Sequence, residues 1–276
     1  MMSNDALFQS ISDDLAAGRF EGISTKLLSA AESTEDPYEA LKCMSILKLV
    51  PNDGTESKIA NRLVDMADEK NGLDIAKALN NLDCPYFSLK ILEKLPDTDE
   101  TVRLRCHCLC DLEEYESALD IYGKIGNQCF NDRIMLTTIL SSLGEHKRSI
   151  EEATALLADS PKDYDTRIAY VKSLMMGGKN KEALLYARSG LKDKSADSNA
   201  VAAYVLRVQG NIKAAGGYAS RAVQLNNQHI GGMESLGICL ALKGEYEKAR
   251  IVAGAINEIS PGDKAAINVL SYCEGH

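Results

Sequence analysis

Apolar residues recur at three- and four-residue intervals along nearly the whole chain, in runs broken by Gly, Pro or polar clusters. That spacing gathers them on one stripe of an α-helix, because positions i, i+3, i+4 and i+7 share a helical face. The segments PYEALKCMSILKLV from Pro37 and TESKIANRLVDMADE from Thr55 each read as an amphipathic helix of this kind. Neither helix of such a pair can bury its stripe alone, so the pattern predicts hairpins of helices that stack on one another. No run approaches 18 uninterrupted apolar residues, so no membrane span is expected.

The pattern is also periodic. GNIKAAGGYASRAVQLNN from Gly210 overlays GEYEKARIVAGAINEISP from Gly244, 34 residues on, with Ile212 on Tyr246, Ala215 on Ala249, Ala222 on Ile256 and Leu225 on Ile259. Another 34-residue step relates Gly144 to Gly178, and Ala183 takes the place of Ala215 and Ala249. Gly178 to Gly210 is 32, a two-residue deletion in a loop. Upstream, LEEYESALDIYGKI (112–125) puts Tyr115 and Ala118 in the same slots, with Glu113 at the turn position. LDCPYFSLKILEKL (82–95) aligns with it at a spacing of 30, and GRFEGISTKLLSAA (18–31) has Gly18, Phe20, Leu27 and Ala30 in register. Residues 37–70 fit the repeat poorly.

Each slot has a physical reason. Ala118, Ala183, Ala215 and Ala249 in second helices, and Cys106, Ala203 and Gly237 in first helices, allow close helix approach. A bulky side chain there is expected to cost about 1–3 kcal/mol through overpacking. Gly144, Gly178, Gly210 and Gly244 supply a turn conformation that other residues reach only at a cost. Pro37, Pro51, Pro85, Pro96, Pro161 and Pro261 all fall at expected helix boundaries, where the missing N–H does no harm.

These residues resemble the tetratricopeptide repeat: a small residue in the first helix, Gly at the turn, an aromatic opening the second helix, then Ala and a closing Pro. Residues 230–263 match best, with Leu236-Gly237, Gly244, Tyr246, Ala249 and Pro261 in place, and Ala253 and Ile256 where an aromatic and Ala are usual. The first-helix Trp of the pattern is absent, as is Trp from the whole chain. The resemblance covers nearly all of the sequence. It implies an all-α fold, a right-handed α-solenoid of tetratricopeptide-like helical hairpins with a C-terminal capping helix. Residues 1–276 are expected to form a single array of about eight repeats, divergent over 1–98, clearer over 99–263 and capped by 263–275.

Composition then narrows the function. The chain has 276 residues, 45% apolar and 26% charged, with a net charge of −9. An acidic balance argues against a general nucleic-acid binder, which needs a basic face. The imbalance is local: residues 1–100 hold ten Lys and Arg against nineteen Asp and Glu, whereas 101–276 hold twenty-one of each. Eight Cys lie mostly within apolar periodic segments, as suits reduced thiols, and the first residues lack a basic, long-apolar signal. A cytoplasmic protein without membrane association is expected.

Catalytic patterns are thin. The CHCLC run at 106–110 contains zinc-type ligands, but a helix turns Cys108 away from Cys106 and Cys110, and no second CxxC or HxxxH completes a set. No HExxH, GxSxG or GxxxxGK[ST] occurs, and MMGGKN (175–180) reads as an ordinary repeat turn. Asp13-Asp14, Glu113-Glu114 and Glu151-Glu152 diverge on their helices. Neither catalytic residues nor a metal or other cofactor is expected.

The resemblance implies instead that first helices line a concave groove. Its positions hold Lys77, Asn80, Arg103, His107, Cys110, Asn131, Thr138 and Ser141, then Lys172, Met175, Asp197, Tyr204, Arg207 and Glu234. The binding set expected from these is Lys77, Asn80, Arg103, His107, Asn131, Thr138, Lys172, Tyr204 and Arg207. Bases outnumber acids in its middle, which fits a protein or peptide segment bearing acidic groups. The Lys, Asn and Arg clamp of chaperone-binding members is not reproduced, since Val201 stands where the Asn after Lys172 would be. The expected function is a non-catalytic interaction scaffold or adaptor. The alternatives are a self-assembling module forming a homo-oligomer and an accessory subunit of an enzyme complex.

Overall fold

In the computed structural model, which describes residues 4–48, 50 and 54–275, helices alternate with tight turns and the described residues contain no strand. They divide into two compact units, residues 1–126 and 127–276. The first holds α1 (Asn4–Ala16), α2 (Ile23–Ser33), α3 (Pro37–Leu47), α4 (Thr55–Met66), α5 (Gly72–Asn81), α6 (Pro85–Leu92), α7 (Asp99–Asp111) and α8 (Tyr115–Tyr122). The second holds α9 (Phe130–Ser142), α10 (His146–Asp159), α11 (Tyr164–Met176), α12 (Asn180–Gly190), α13 (Ala196–Val208), α14 (Ile212–Leu225), α15 (Ile230–Ala241), α16 (Tyr246–Ile259) and α17 (Lys264–Ser271). None of the helices is long and apolar enough to cross a membrane.

Each unit is built in two layers. In the first, α3, α5 and α7 pack side by side in succession, and α2, α4 and α6 do the same behind them. In the second, α9, α11, α13, α15 and α17 form the continuous row of first helices. The apolar stripes meet between layers: Ile11, Ile23, Leu27, Ile59, Leu63, Ile75, Leu79, Ile91 and Leu92 are wholly buried in the N-terminal unit. Val171, Leu174, Val201 and Val205 fill the same place around α11 to α13.

The turn positions behave as their residues require. Gly144, Gly178, Gly210 and Gly244 have φ of +77°, +74°, +80° and +80°. Asp83 and Glu113 occupy the equivalent turns at +57° and +61°, the left-handed region that costs a side chain roughly 1–2 kcal/mol. The small slots are equally literal. Ala118, Ala183, Ala215 and Ala249 are fully buried, and so are Cys106 and Ala203. Where the second-helix slot holds Ser, its hydroxyl donates to a first-helix carbonyl twelve residues back: Ser88 to Ala76 O at 2.8 Å and Ser149 to Thr137 O at 2.9 Å.

Helix boundaries follow from local chemistry. Pro37 and Pro85 stand in the first turns of α3 and α6, where the absent N–H has no partner to lose. Pro96, Pro161 and Pro261 lie in loops, and Pro51 falls outside the described residues. Asp36, Thr98, Asp163, Ser195, Asn211 and Asp263 cap the N-termini of α3, α7, α11, α13, α14 and α17 with side-chain oxygens. Two details depart from the sequence expectation. Phe20 does not open a second helix: it is exposed in the loop, and α2 begins at Ile23 after a second left-handed glycine, Gly22. The closing helix is also shorter than 263–275, ending at Ser271.

Candidate functional site

First-helix faces carry the residues singled out in the sequence, and the structure separates them by what they already contact. On α5 of the N-terminal unit, Lys77 pairs with Glu100 at 2.6 Å, and Asn80 Oδ1 accepts from the Cys108 thiol at 3.4 Å. On α7, Arg103 reaches Asp99 one turn back at 3.8 Å, and His107 is exposed. On α9, Asn131 and Thr138 are exposed, and the Thr138 hydroxyl turns back to Ile134 O at 3.4 Å. Ser141 is not on that face at all. It is buried at 6% exposure and donates to Ser149 Oγ at 2.7 Å, because α9 turns it toward the small slot of α10. Ser149 donates to Thr137 O, so it accepts from both Ser141 and Ser173, a closed hydroxyl cluster with no free group.

Lys172, Tyr204 and Arg207 do come together. Lys172 Nζ lies 5.5 Å from the centre of the Tyr204 ring and Arg207 Cζ 5.4 Å from it, within cation–π range. Tyr204 and Arg207 share a face of α13 one turn apart, and α11 packs beside α13. Among the described residues neither cation is salt-bridged to a carboxylate. Arg207 Nε is buried with no hydrogen-bond partner. Burial pushes the Tyr204 phenol upward, and the nearby Arg207 charge opposes that shift.

The surroundings include residues that sequence reasoning missed. Tyr164, at the start of α11, stacks edge-on against His229 with ring centres 4.6 Å apart. His229 Nδ1 accepts from the Gly232 N–H at 3.0 Å and so caps α15. The proton is therefore on Nε2, which donates to Asp197 Oδ1 at 3.0 Å. Both ring nitrogens are occupied by these contacts. Burial pushes the Tyr164 phenol up, helped by the carboxylates of Glu234, Asp165 and Asp197. Asp165 is likewise raised by burial first and then by Asp163, against the pull of Lys172. Only the seven-residue steps Asp165–Lys172 and Asp197–Tyr204 hinted at this in the sequence.

The other chemical-looking residues point apart. Cys106 faces Ala118 O at 3.6 Å, Cys108 faces Ser88 Oγ at 3.3 Å, and no group of three His, Cys, Asp or Glu converges among the described residues. The face built by α11, α13, α15 and α17 thus carries two cations beside an aromatic ring.

No protein-family profile and no curated protein matches the sequence. Solved structures do match. A tetratricopeptide repeat protein from Parabacteroides merdae is 14% identical, with a TM-score of 0.51 over 86% of this chain and 98% of its own. A thermophilic TPR protein from Thermus thermophilus is 15% identical over 74% of this chain and 98% of its own, with a TM-score of 0.42. At such identity the likeness with the first concerns the fold, and it agrees with the paired helices, left-handed turns and buried small slots described above. The chain has the tetratricopeptide-repeat fold.

Proposed function

We propose that this protein is a non-catalytic interaction scaffold that holds a segment of a partner protein on the first-helix face of its C-terminal unit. Lys172, Tyr204 and Arg207 are the anchors. The carrying observation is that two cations flank one aromatic ring without a carboxylate partner. Lys77, Arg103 and Arg133 are by contrast committed to internal ion pairs, Arg133 with Glu152 and Asp159 at 2.6 and 2.9 Å. An incoming carboxylate gains charge-assisted hydrogen bonds from Lys172 and Arg207, and Tyr and Arg are among the residue types enriched where binding energy concentrates at interfaces.

The test is co-purification on tagged protein with quantitative mass spectrometry, comparing wild type, Lys172→Glu/Arg207→Glu and the control Lys77→Glu/Arg103→Glu. Partners held by wild type and the control are expected to be lost from the first double variant, with helicity unchanged by circular dichroism. Full retention of those partners would exclude this face.

A further inference from the structure

The two cations are not the only charges on this face. Asp165 precedes Lys172 by seven residues on α11, and Asp197 precedes Tyr204 by seven and Arg207 by ten on α13. Two turns of helix bring such residues back to one stripe, so each helix presents an acid near its start and a base near its end. Glu234 continues the acidic edge onto α15, where its carboxylate accepts from Asn268 Nδ2 of α17 at 2.8 Å. At 1.5 Å per residue the acidic and basic edges lie about 10–15 Å apart along the helices.

The acidic edge is built around an aromatic ring. Tyr164 is held edge-on to His229, and a Cβ at Gly231 would overlap its phenol, so the ring lies flush against α15. Among the described residues neither Asp165 nor Glu234 is salt-bridged to Lys or Arg, and Asp197 is paired with His229 and with neither Lys nor Arg. Carboxylates crowded about a tyrosine favour a cation, by Coulomb attraction and through the ring face. A purely acidic segment would meet attraction at one edge and repulsion at the other.

Resting on the reading above, we infer that the segment bound on this face is bipolar. It places a basic side chain at the Asp165–Asp197–Glu234 edge and an acidic one at the Lys172–Arg207 edge. An extended segment covers the nearer spacing, about 10 Å, with charges three residues apart. Charge complementarity at both edges fixes the direction of the bound chain as well as its composition.

The experiment uses the full chain and three fluorescein-labelled Gly/Ser peptides carrying Lys-x-x-Glu, Glu-x-x-Glu or Lys-x-x-Lys. Binding is read by fluorescence anisotropy at low salt and mapped by amide NMR shifts. Lys-x-x-Glu is expected to bind wild type at least about tenfold more tightly than either like-charged peptide, a difference of roughly 1.4 kcal/mol. Lys172→Glu/Arg207→Glu is expected to switch the preference to Lys-x-x-Lys, and Asp165→Lys/Glu234→Lys to Glu-x-x-Glu. Should a charge reversal unfold the protein, Lys172→Gln/Arg207→Gln and Asp165→Asn/Glu234→Gln remove each edge in turn, and each is expected to abolish the corresponding selectivity. Equal or tighter binding of Glu-x-x-Glu to wild type would overturn the bipolar inference and leave an acidic-segment scaffold standing. No shifts on α11, α13 and α15 with any peptide at millimolar concentration would overturn both.

Discussion

Both γ-methyls of Val269 lie 2.7 Å from the point that a Cβ on Gly237 would occupy. Gly237 is the small first-helix position of α15, and Val269 is the fully buried centre of α17. Replacing Gly by Ala inside a helix usually gains about 0.5–1 kcal/mol of backbone preference. Here the sign is expected to reverse, because Val269 is β-branched, stiff at χ1 and without room to turn aside. Gly237→Ala should lower stability by about 1–3 kcal/mol as α17 is pushed off. In Gly237→Ala/Val269→Ala the clash is removed, so the two changes should be strongly non-additive in urea unfolding. A Gly237→Ala protein as stable as wild type would show that α17 does not seat here.

The six repeat turns make a second, opposite pair of predictions. Gly144 adopts φ +77°, and Glu113 adopts +61° in the same place one repeat earlier. Gly144→Ala should destabilise by about 1 kcal/mol, and Glu113→Gly should stabilise by up to about 1 kcal/mol by removing left-handed strain from a side chain. Asp83→Gly, at φ +57°, should gain less, because Asp enters that region more readily than Glu. Chemical denaturation of the three variants checks the order. A destabilised Glu113→Gly would mean that side chain compensates its own strain.

The turns and small slots were legible because each is set by a local rule: a glycine torsion, a helix-to-helix distance, a proline without its N–H. Those rules repeat every 30 to 34 residues, so Gly144, Ala183 and Gly237 could be placed by counting. What could not be counted are contacts between side chains on different helices. The sequence shows Lys77 and Lys172 as equal groove cations, yet Glu100 takes one and leaves the other beside Tyr204. Ser141 looked exposed by position, but a Ser in the α10 slot draws it inward. Tyr164 and Gly231 meet across 67 residues with no shared motif to reveal them. The divergent N-terminal end misled for another reason: Gly22 adds a second left-handed turn, which shifts the start of α2 beyond Phe20.

Arg105, unremarked in the sequence, supports a third prediction. It is 8% exposed, and its guanidinium donates to Leu92 O through Nε at 3.1 Å and to Leu95 O at 3.0 Å, as well as pairing with Asp97. α6 ends at Leu92, so Arg105 adds donors to carbonyls at and just beyond the helix end, Leu92 O being otherwise shared only with Leu95 N–H at 3.2 Å. Arg105→Met keeps much of the volume and should cost about 2–3 kcal/mol. The Arg105 guanidinium, bonded to the Asp97 carboxylate, holds that group below the usual aspartate range. A lowered folded value stabilises the protein above the unfolded pKa, and the gain disappears as pH falls through the folded one. Wild type should therefore lose part of its margin over Arg105→Met between neutral pH and about pH 3. Urea midpoints at the two pH values measure it. A margin that stays constant would show the Asp97 pairing to be energetically silent.

The cysteines give the last prediction, and it reports on the two units separately. Burial pushes the Cys43 thiol up to about 11 and the Cys84 thiol up to about 12, with Glu56 adding to the latter and Lys48 opposing it. Burial also raises Cys239. Cys106, Cys108 and Cys273 are buried as well, Cys110 is half-buried, and Cys129 is exposed. Alkylation requires an accessible thiolate, so iodoacetamide should modify Cys129 first and Cys110 more slowly. The other six should react only when their surroundings open. Peptide mapping by mass spectrometry across a urea series then follows Cys43, Cys84, Cys106 and Cys108 for the N-terminal unit, and Cys239 and Cys273 for the C-terminal unit. If the units unfold independently, the two sets become reactive at different urea concentrations; if they unfold together, the curves coincide. Labelling of Cys43 or Cys84 in native buffer as fast as Cys129 would contradict the burial on which the N-terminal core depends.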